Sequence, residues 1–236
     1  MNKSIFNTAV AVAAVFCIGC GGNSTGGGGD NTEPVKTHAK PHTVDNSIAK
    51  SEVTVPEITT FTDARDGKTY KKVTIATQTW MVENLNIMAD SSVCYGNNES
   101  NCEQYGRLYT WNAAMRACPA GWRLPTDEEW TTLMDYVGGE YIAGEKLKST
   151  SGWENNGNGT DDFGFSALPG GYGNSNGSFV SVGGFGYWWS ATENDVNHAW
   201  ERSMNYILED VGRYDGEKMG LFSVRCVLND GKDRQK

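Results

Sequence analysis

Cys118-Pro-Ala-Gly-Trp-Arg-Leu-Pro-Thr-Asp-Glu-Glu-Trp130 is the stretch on which the fold turns. Thr126 stands where a helix N-cap is wanted, and Glu129 follows three residues later. That pair is a capping box, in which each side chain satisfies a backbone N–H of the first turn. Asp127, Glu128 and Glu129 crowd that turn with negative charge, which complements the helix dipole. Trp130, Leu133, Met134 and Val137 then recur as an apolar stripe, and Gly138-Gly139 supplies a stop. Upstream, Tyr109 to Cys118 reads as a second short helix. Tyr109, Ala113 and Ala117 share one of its faces, and Pro119 ends it.

Strand signals lie on either side. Asp66-Gly67 sits between Phe61-Thr-Asp and Thr69-Tyr-Lys-Lys-Val-Thr-Ile, a hairpin pattern. Gln78 to Leu85 continues as a further strand. Residues 150–187 are dominated by Gly, Asn, Asp and Ser, with Phe163, Phe165, Leu168 and Phe179 as packing anchors. Tyr187 to Thr192, Ala199 to Tyr206 and Gly220 to Leu228 read as three closing strands. The fold class is therefore α+β: two short helices, several antiparallel strands and long Gly/Asn-rich loops.

The chain of 236 residues carries 20 basic and 29 acidic residues, a formal charge of -9. Residues 58–230 hold 13 basic and 23 acidic residues, so the acidity belongs to the folded part. Sequence-independent nucleic-acid binding needs clustered Lys and Arg, and the balance excludes it. Of three histidines, His38 and His42 fall in a linker, so only His198 can serve a folded site. A three-histidine zinc site is ruled out, and any Ser-His-Asp or Cys-His mechanism would rest on this residue alone. Beside Trp200, His198 reads as a surface or packing residue.

Residues 1–20 read as an address. Lys3 precedes an apolar run from Ala9 to Ile18, too short to span a bilayer and suited to a signal peptide. The run ends Ile18-Gly19-Cys20, which resembles a bacterial lipoprotein signal with Cys20 as the lipidated residue. Cys17 stands where leucine is usual. The partner expected of Cys20 is the membrane, through acyl chains. Residues 21–57 read as a Gly/Pro-containing linker, because all eight tryptophans and all ten tyrosines lie beyond it. The domain is expected over 58–230, followed by a polar tail at 231–236.

Export places Cys94, Cys102, Cys118 and Cys226 in an oxidising compartment, where four cysteines allow three pairings. Cys94–Cys102 with Cys118–Cys226 is preferred: one closes a short polar loop, the other joins a helix end to a late strand.

The strings from Gln78 to Leu85, Tyr105 to Ala114 and Cys118 to Thr126 with Trp130, then Asp161 to Gly171, Gly186 to Thr192 and Ser223 to Val227, resemble the Fibrobacter succinogenes major paralogous domain family. The resemblance covers about residues 60–228 and implies an exported bacterial protein, and it carries no reaction with it. The Gly-Trp-Arg-Leu-Pro-Thr and Val-Arg-Cys-Val pieces are more distantly similar to the formylglycine-generating enzyme group. That similarity implies a C-type-lectin-like fold.

Three functional readings follow. The first is a cell-surface lipoprotein with a non-catalytic recognition or adhesion domain for polysaccharide or a surface protein. Trp153, Tyr172, Tyr187 and Trp188 are its candidate ligand-binding residues, each weighed against a core role. The second is calcium, with Glu154, Asn155, Asp161 and Asp162 as candidate ligands beside Asn156 and Asn158; such clusters are also ordinary turn chemistry. The third is an exported enzyme of the formylglycine-generating kind, or a purely structural envelope protein. Reactive cysteines would carry such an enzyme, and a disulfide at Cys226 argues against it.

Overall fold

A computed structural model describes residues 56–229. The signal peptide with Cys20, most of the linker and the polar tail lie outside them. Among the described residues no helix is long and apolar enough to cross a membrane.

The strands are β1 (Ile58–Thr62), β2 (Thr69–Ile75), β3 (Gln78–Met81), β4 (Ser92–Val93), β5 (Leu108–Tyr109), β6 (Trp122–Arg123), β7 (Tyr172–Gly173), β8 (Phe179–Val180), β9 (Phe185–Glu193), β10 (His198–Asn205), β11 (Gly212–Glu217), β12 (Phe222–Ser223) and β13 (Val227–Leu228). The helices are α1 (Glu99–Tyr105), α2 (Trp111–Ala117), α3 (Asp127–Val137) and α4 (Glu140–Leu147). One sheet runs β1-β2-β3-β13-β6, a second β11-β10-β9-β12-β5-β4, and β7-β8 form a small hairpin. Pairing is antiparallel except between β12 and β9.

Helix α3 forms as its sequence predicts. Thr126 Oγ1 accepts from the Glu129 N–H at 3.2 Å, and the Glu129 carboxylate accepts from the Thr126 N–H at 2.9 Å. Its end at Gly138 is left-handed, with φ of 118°. Two helices were missed. The polar loop between Cys94 and Cys102 starts with a 3-10 turn at Tyr95–Asn97, and its last residues begin α1, opened by Asn98 accepting from the Ser100 N–H. Gly138-Gly139 ends one helix but also begins another, α4, which buries Ala143, Gly144 and Leu147. Gly144 is needed there, because a Cβ would come 2.3 Å from the Asp210 carbonyl oxygen.

Neighbouring residues on a strand face opposite ways, and this organises two cores. Trp80 and Trp188 join Trp130, Leu133 and Met134 of α3 in one core. Met81 and Trp189 join Tyr109, the alanines of α2 and Phe222 in the other.

Both expected disulfides are present, Cys94–Cys102 and Cys118–Cys226. The expected single strand from Gly220 to Leu228 is a correction. It is broken at Val224-Arg225-Cys226, so that β12 lies in the larger sheet and β13 in the other. Arg225 sits fully buried at this crossover. It donates to Asn84 Oδ1 and to the carbonyl oxygens of Met81, Val82, Phe165 and Ser166. Its guanidinium is pulled down to about 9 by burial, and it remains charged at neutral pH. Strand β11, unrecognised in the sequence, occupies the sheet edge. Its Arg213, Asp215 and Glu217 guard that edge with charge.

Candidate functional site

The β7–β8 hairpin carries the site. Asn176-Gly177 turns it, with Gly177 at φ of +85°. Asn176 Oδ1 accepts from the backbone N–H of Ser178 at 2.9 Å and from its hydroxyl at 2.7 Å, which closes the turn. The hairpin is docked on the body by reciprocal backbone bonds between Gly173 and Leu221, 2.9 and 2.8 Å.

Docking brings Tyr172 against Tyr187 edge to face, centroids 4.9 Å apart, and against Phe222 at 6.0 Å. Tyr187 stacks on Phe222 at 5.5 Å and on Phe185 at 5.9 Å; Trp189 backs Phe222 at 4.3 Å. Tyr172, Gly220 and Phe222 line an open cleft of about 400 Å³ whose remaining walls include Asn174, Ser175, Asn176 and Glu217. The Ser175 hydroxyl reaches Glu217 Oε2 at 3.3 Å across it. Behind the rings, burial pushes the Tyr187 phenol up to about 12, and the buried Glu201 adds to that shift. Glu201 is 3% exposed, and its Oε2 has no hydrogen-bond partner. Burial holds its carboxyl well above the usual range, with Asp215 adding and the neighbouring Arg202 opposing.

The structure divides the four expected aromatic ligands into two pairs. Tyr172 and Tyr187 are half-buried beside the cleft. Trp153 and Trp188 are corrected to core residues. The Trp153 indole N–H lies 3.2 Å from Ser149 Oγ and 3.1 Å from the Ala167 carbonyl oxygen. The Trp188 indole donates to Asn84 Oδ1 at 2.8 Å. Pleating explains the split on β9: Tyr187 and Trp189 share one face, and Trp188 points to the other, towards Trp130.

The expected calcium ligands are dispersed rather than gathered. The Asp161 carboxylate takes the Ser166 hydroxyl and backbone N–H, and burial raises it above the ordinary range. Glu154 lies instead against Gly183. Asn155 sits in a left-handed turn conformation, φ 50°. Asp162 is exposed. Asn158 Oδ1 is occupied by the Trp153 N–H at 3.0 Å. Among the described residues, the group of His, Cys, Asp and Glu side chains with ligand atoms within 4.8 Å of one another is Cys94, Glu99 and Cys102. Both of those sulfurs are bonded to each other. All four described cysteines are in disulfides, so the reactive-thiol chemistry of the enzyme reading has no free sulfur among the described residues. His198 is a surface residue whose Nδ1 lies 2.9 Å from Asp195 Oδ1.

Sequence reasoning missed Asn174, Ser175, Asn176, Glu217 and Phe222. Asn176-Gly177 was a legible hairpin signal. Nothing local linked it to Glu217 and Phe222, which arrive from elsewhere in the chain.

The family model described as the Fibrobacter succinogenes major domain matches residues 73–228. No curated protein and no solved structure matches the chain.

Proposed function

Because the chain belongs to the Fibrobacter succinogenes major domain family, which is associated with exported proteins, we propose that it is an exported lipoprotein held at the cell envelope by Cys20. Its domain, of C-type-lectin-like architecture, recognises polysaccharide without catalysis. The observation that carries this reading is the cleft of Tyr172 and Phe222 walled by Asn174, Ser175, Asn176 and Glu217. Aromatic faces pack against the C–H surfaces of sugars, and amide, hydroxyl and carboxylate groups bond their hydroxyls. Concave sites with an apolar floor and a few convergent polar groups are the usual form of a ligand site. The stacked rings behind Tyr172 hold it in place, so little ordering accompanies binding.

The test is a glycan array with cellulose and xylan pull-down of the full chain, with calcium and with chelator. Binding that falls at least about tenfold in Tyr172→Ala, in a variant of unchanged melting temperature, supports the reading. Absence of binding to every polysaccharide under both conditions overturns it. Labelled palmitate incorporation, lost in Cys20→Ala, tests the anchor.

A further inference from the structure

Glu217 lines two cavities. On one side is the aromatic cleft. On the other is a second hollow, of about 460 Å³, walled by Asn112, Asn197, His198 and Lys218 with Val196 and Met219 at its lip. Val196 is 84% exposed and Met219 64%, so two apolar side chains stand in solvent beside two amides. The tight turn after β11, closed by the Gly220 N–H donating to the Glu217 carbonyl at 2.7 Å, forms a common wall. Glu217 is thus a saddle between two open depressions.

The charges of this groove are specific. The Lys218 ammonium donates to Glu193 Oε1 at 3.0 Å and to the carbonyl oxygens of Asp195 and Val196 at 2.8 and 3.0 Å. All three of its donors are therefore engaged. His198 faces Asp195. The carboxylate of Glu217 has one hydrogen-bond contact, the 3.3 Å one from Ser175, out of about four acceptor positions. A ligand crossing the saddle meets a carboxylate with room to accept hydrogen bonds from hydroxyls, flanked by amides, and meets no uncommitted cation.

We propose that the two hollows are consecutive subsites of one groove, and that it takes a linear neutral polysaccharide across Glu217 and disfavours polyuronides. This inference rests on the polysaccharide reading above. It adds the second subsite, the minimum ligand length and the charge selection.

The experiment is calorimetric titration of the full chain with disaccharides and hexasaccharides of the xylo- and cello- series and with polygalacturonate. Hexasaccharide should bind at least about tenfold more tightly than disaccharide. Asn197→Ala and Met219→Ser should bring the hexasaccharide towards the disaccharide affinity while leaving the disaccharide unchanged. Glu217→Lys should weaken neutral hexasaccharide and admit polygalacturonate. Equal affinity for short and long chains, both lost in Tyr172→Ala, would sink the second subsite and leave the cleft intact. Polygalacturonate binding as tightly as neutral chains would refute the charge selection. Failure of every oligosaccharide to bind would remove both readings.

Discussion

Replacing Arg225 by methionine is the sharpest test of how the two sheets are joined. The side chain lies where the chain leaves β12 for β13 and has no solvent exposure. Substitution takes a donor from the carbonyl oxygens of Met81, Val82 and Phe165 and from Asn84 Oδ1. Asn84 retains the Trp188 indole as a donor and the Ser166 carbonyl is the longest contact at 3.4 Å, so the other three carbonyls bear most of the loss. A buried acceptor left unsatisfied costs about 1–3 kcal/mol. Against this, methionine escapes the desolvation of a buried charge, a gain of several kcal/mol. Three such carbonyls lose about 3–9 kcal/mol, and relief of about 3 kcal/mol of desolvation leaves a loss of about 0–6 kcal/mol, centred near 3, from a total of about 5–15 kcal/mol. For a domain of this size each kcal/mol moves the midpoint by about 2–4 °C, so the central expectation is a fall of about 6–12 °C. Arg225→Lys keeps the charge but lacks the planar fork that reaches several acceptors at once, and should recover less than half. Circular dichroism melts would measure the midpoint, and near-ultraviolet spectra would report Trp80 and Trp188 beside the crossover. A methionine variant melting within about 2 °C of wild type would refute the claim that this network ties the sheets together.

Glu201 should act in the opposite direction. Its folded-state pKa is raised by burial. The native state therefore holds the proton more tightly, and this contribution is present below the ordinary glutamate range and lost as pH rises through the raised value. Glu201→Gln is expected to raise the melting temperature near neutrality and leave it unchanged in acid; an equal shift at both would contradict the linkage. The two disulfides should differ in weight. Cys118–Cys226 spans 108 residues and Cys94–Cys102 spans 8. Loop-closure entropy predicts about 4–5 kcal/mol for the first and about 2 kcal/mol less for the second. Denaturant titration of the two double-serine variants decides this, and an equal or larger loss in the short loop would count against the entropic account.

The candidate site was half legible, and β9 shows why. Tyr187 and Trp188 are adjacent aromatic residues in one strand, alike in sequence terms. Pleating sends one to the cleft and the other to Trp130, and register alone decides which. Trp153 looked exposed because it lies among Gly, Asn and Ser, yet its indole is buried against Ser149 and Ala167. The Asn/Asp cluster at 154–162 has the residue types of a cation site, but Asp161 is taken up by Ser166 and Asn158 by the Trp153 N–H, and Glu154 lies against Gly183. Helix α4 was hidden because Gly138-Gly139 signals an end, and only contact with the Asp210 segment explains a helix after it.

What the residues determine by themselves is local. The capping box at Thr126 and Glu129 and the hairpin at Asp66-Gly67 are decided within a few positions, where side chain and backbone already meet. Export chemistry and even cysteine count favoured the disulfide framework in the same way. Tertiary structure alone decided the break at Arg225, the faces of Trp188 and Tyr187, and the meeting of Asn174 with Glu217 and Phe222. Those outcomes depend on register and docking between segments far apart in the chain, and no spacing along the sequence records them.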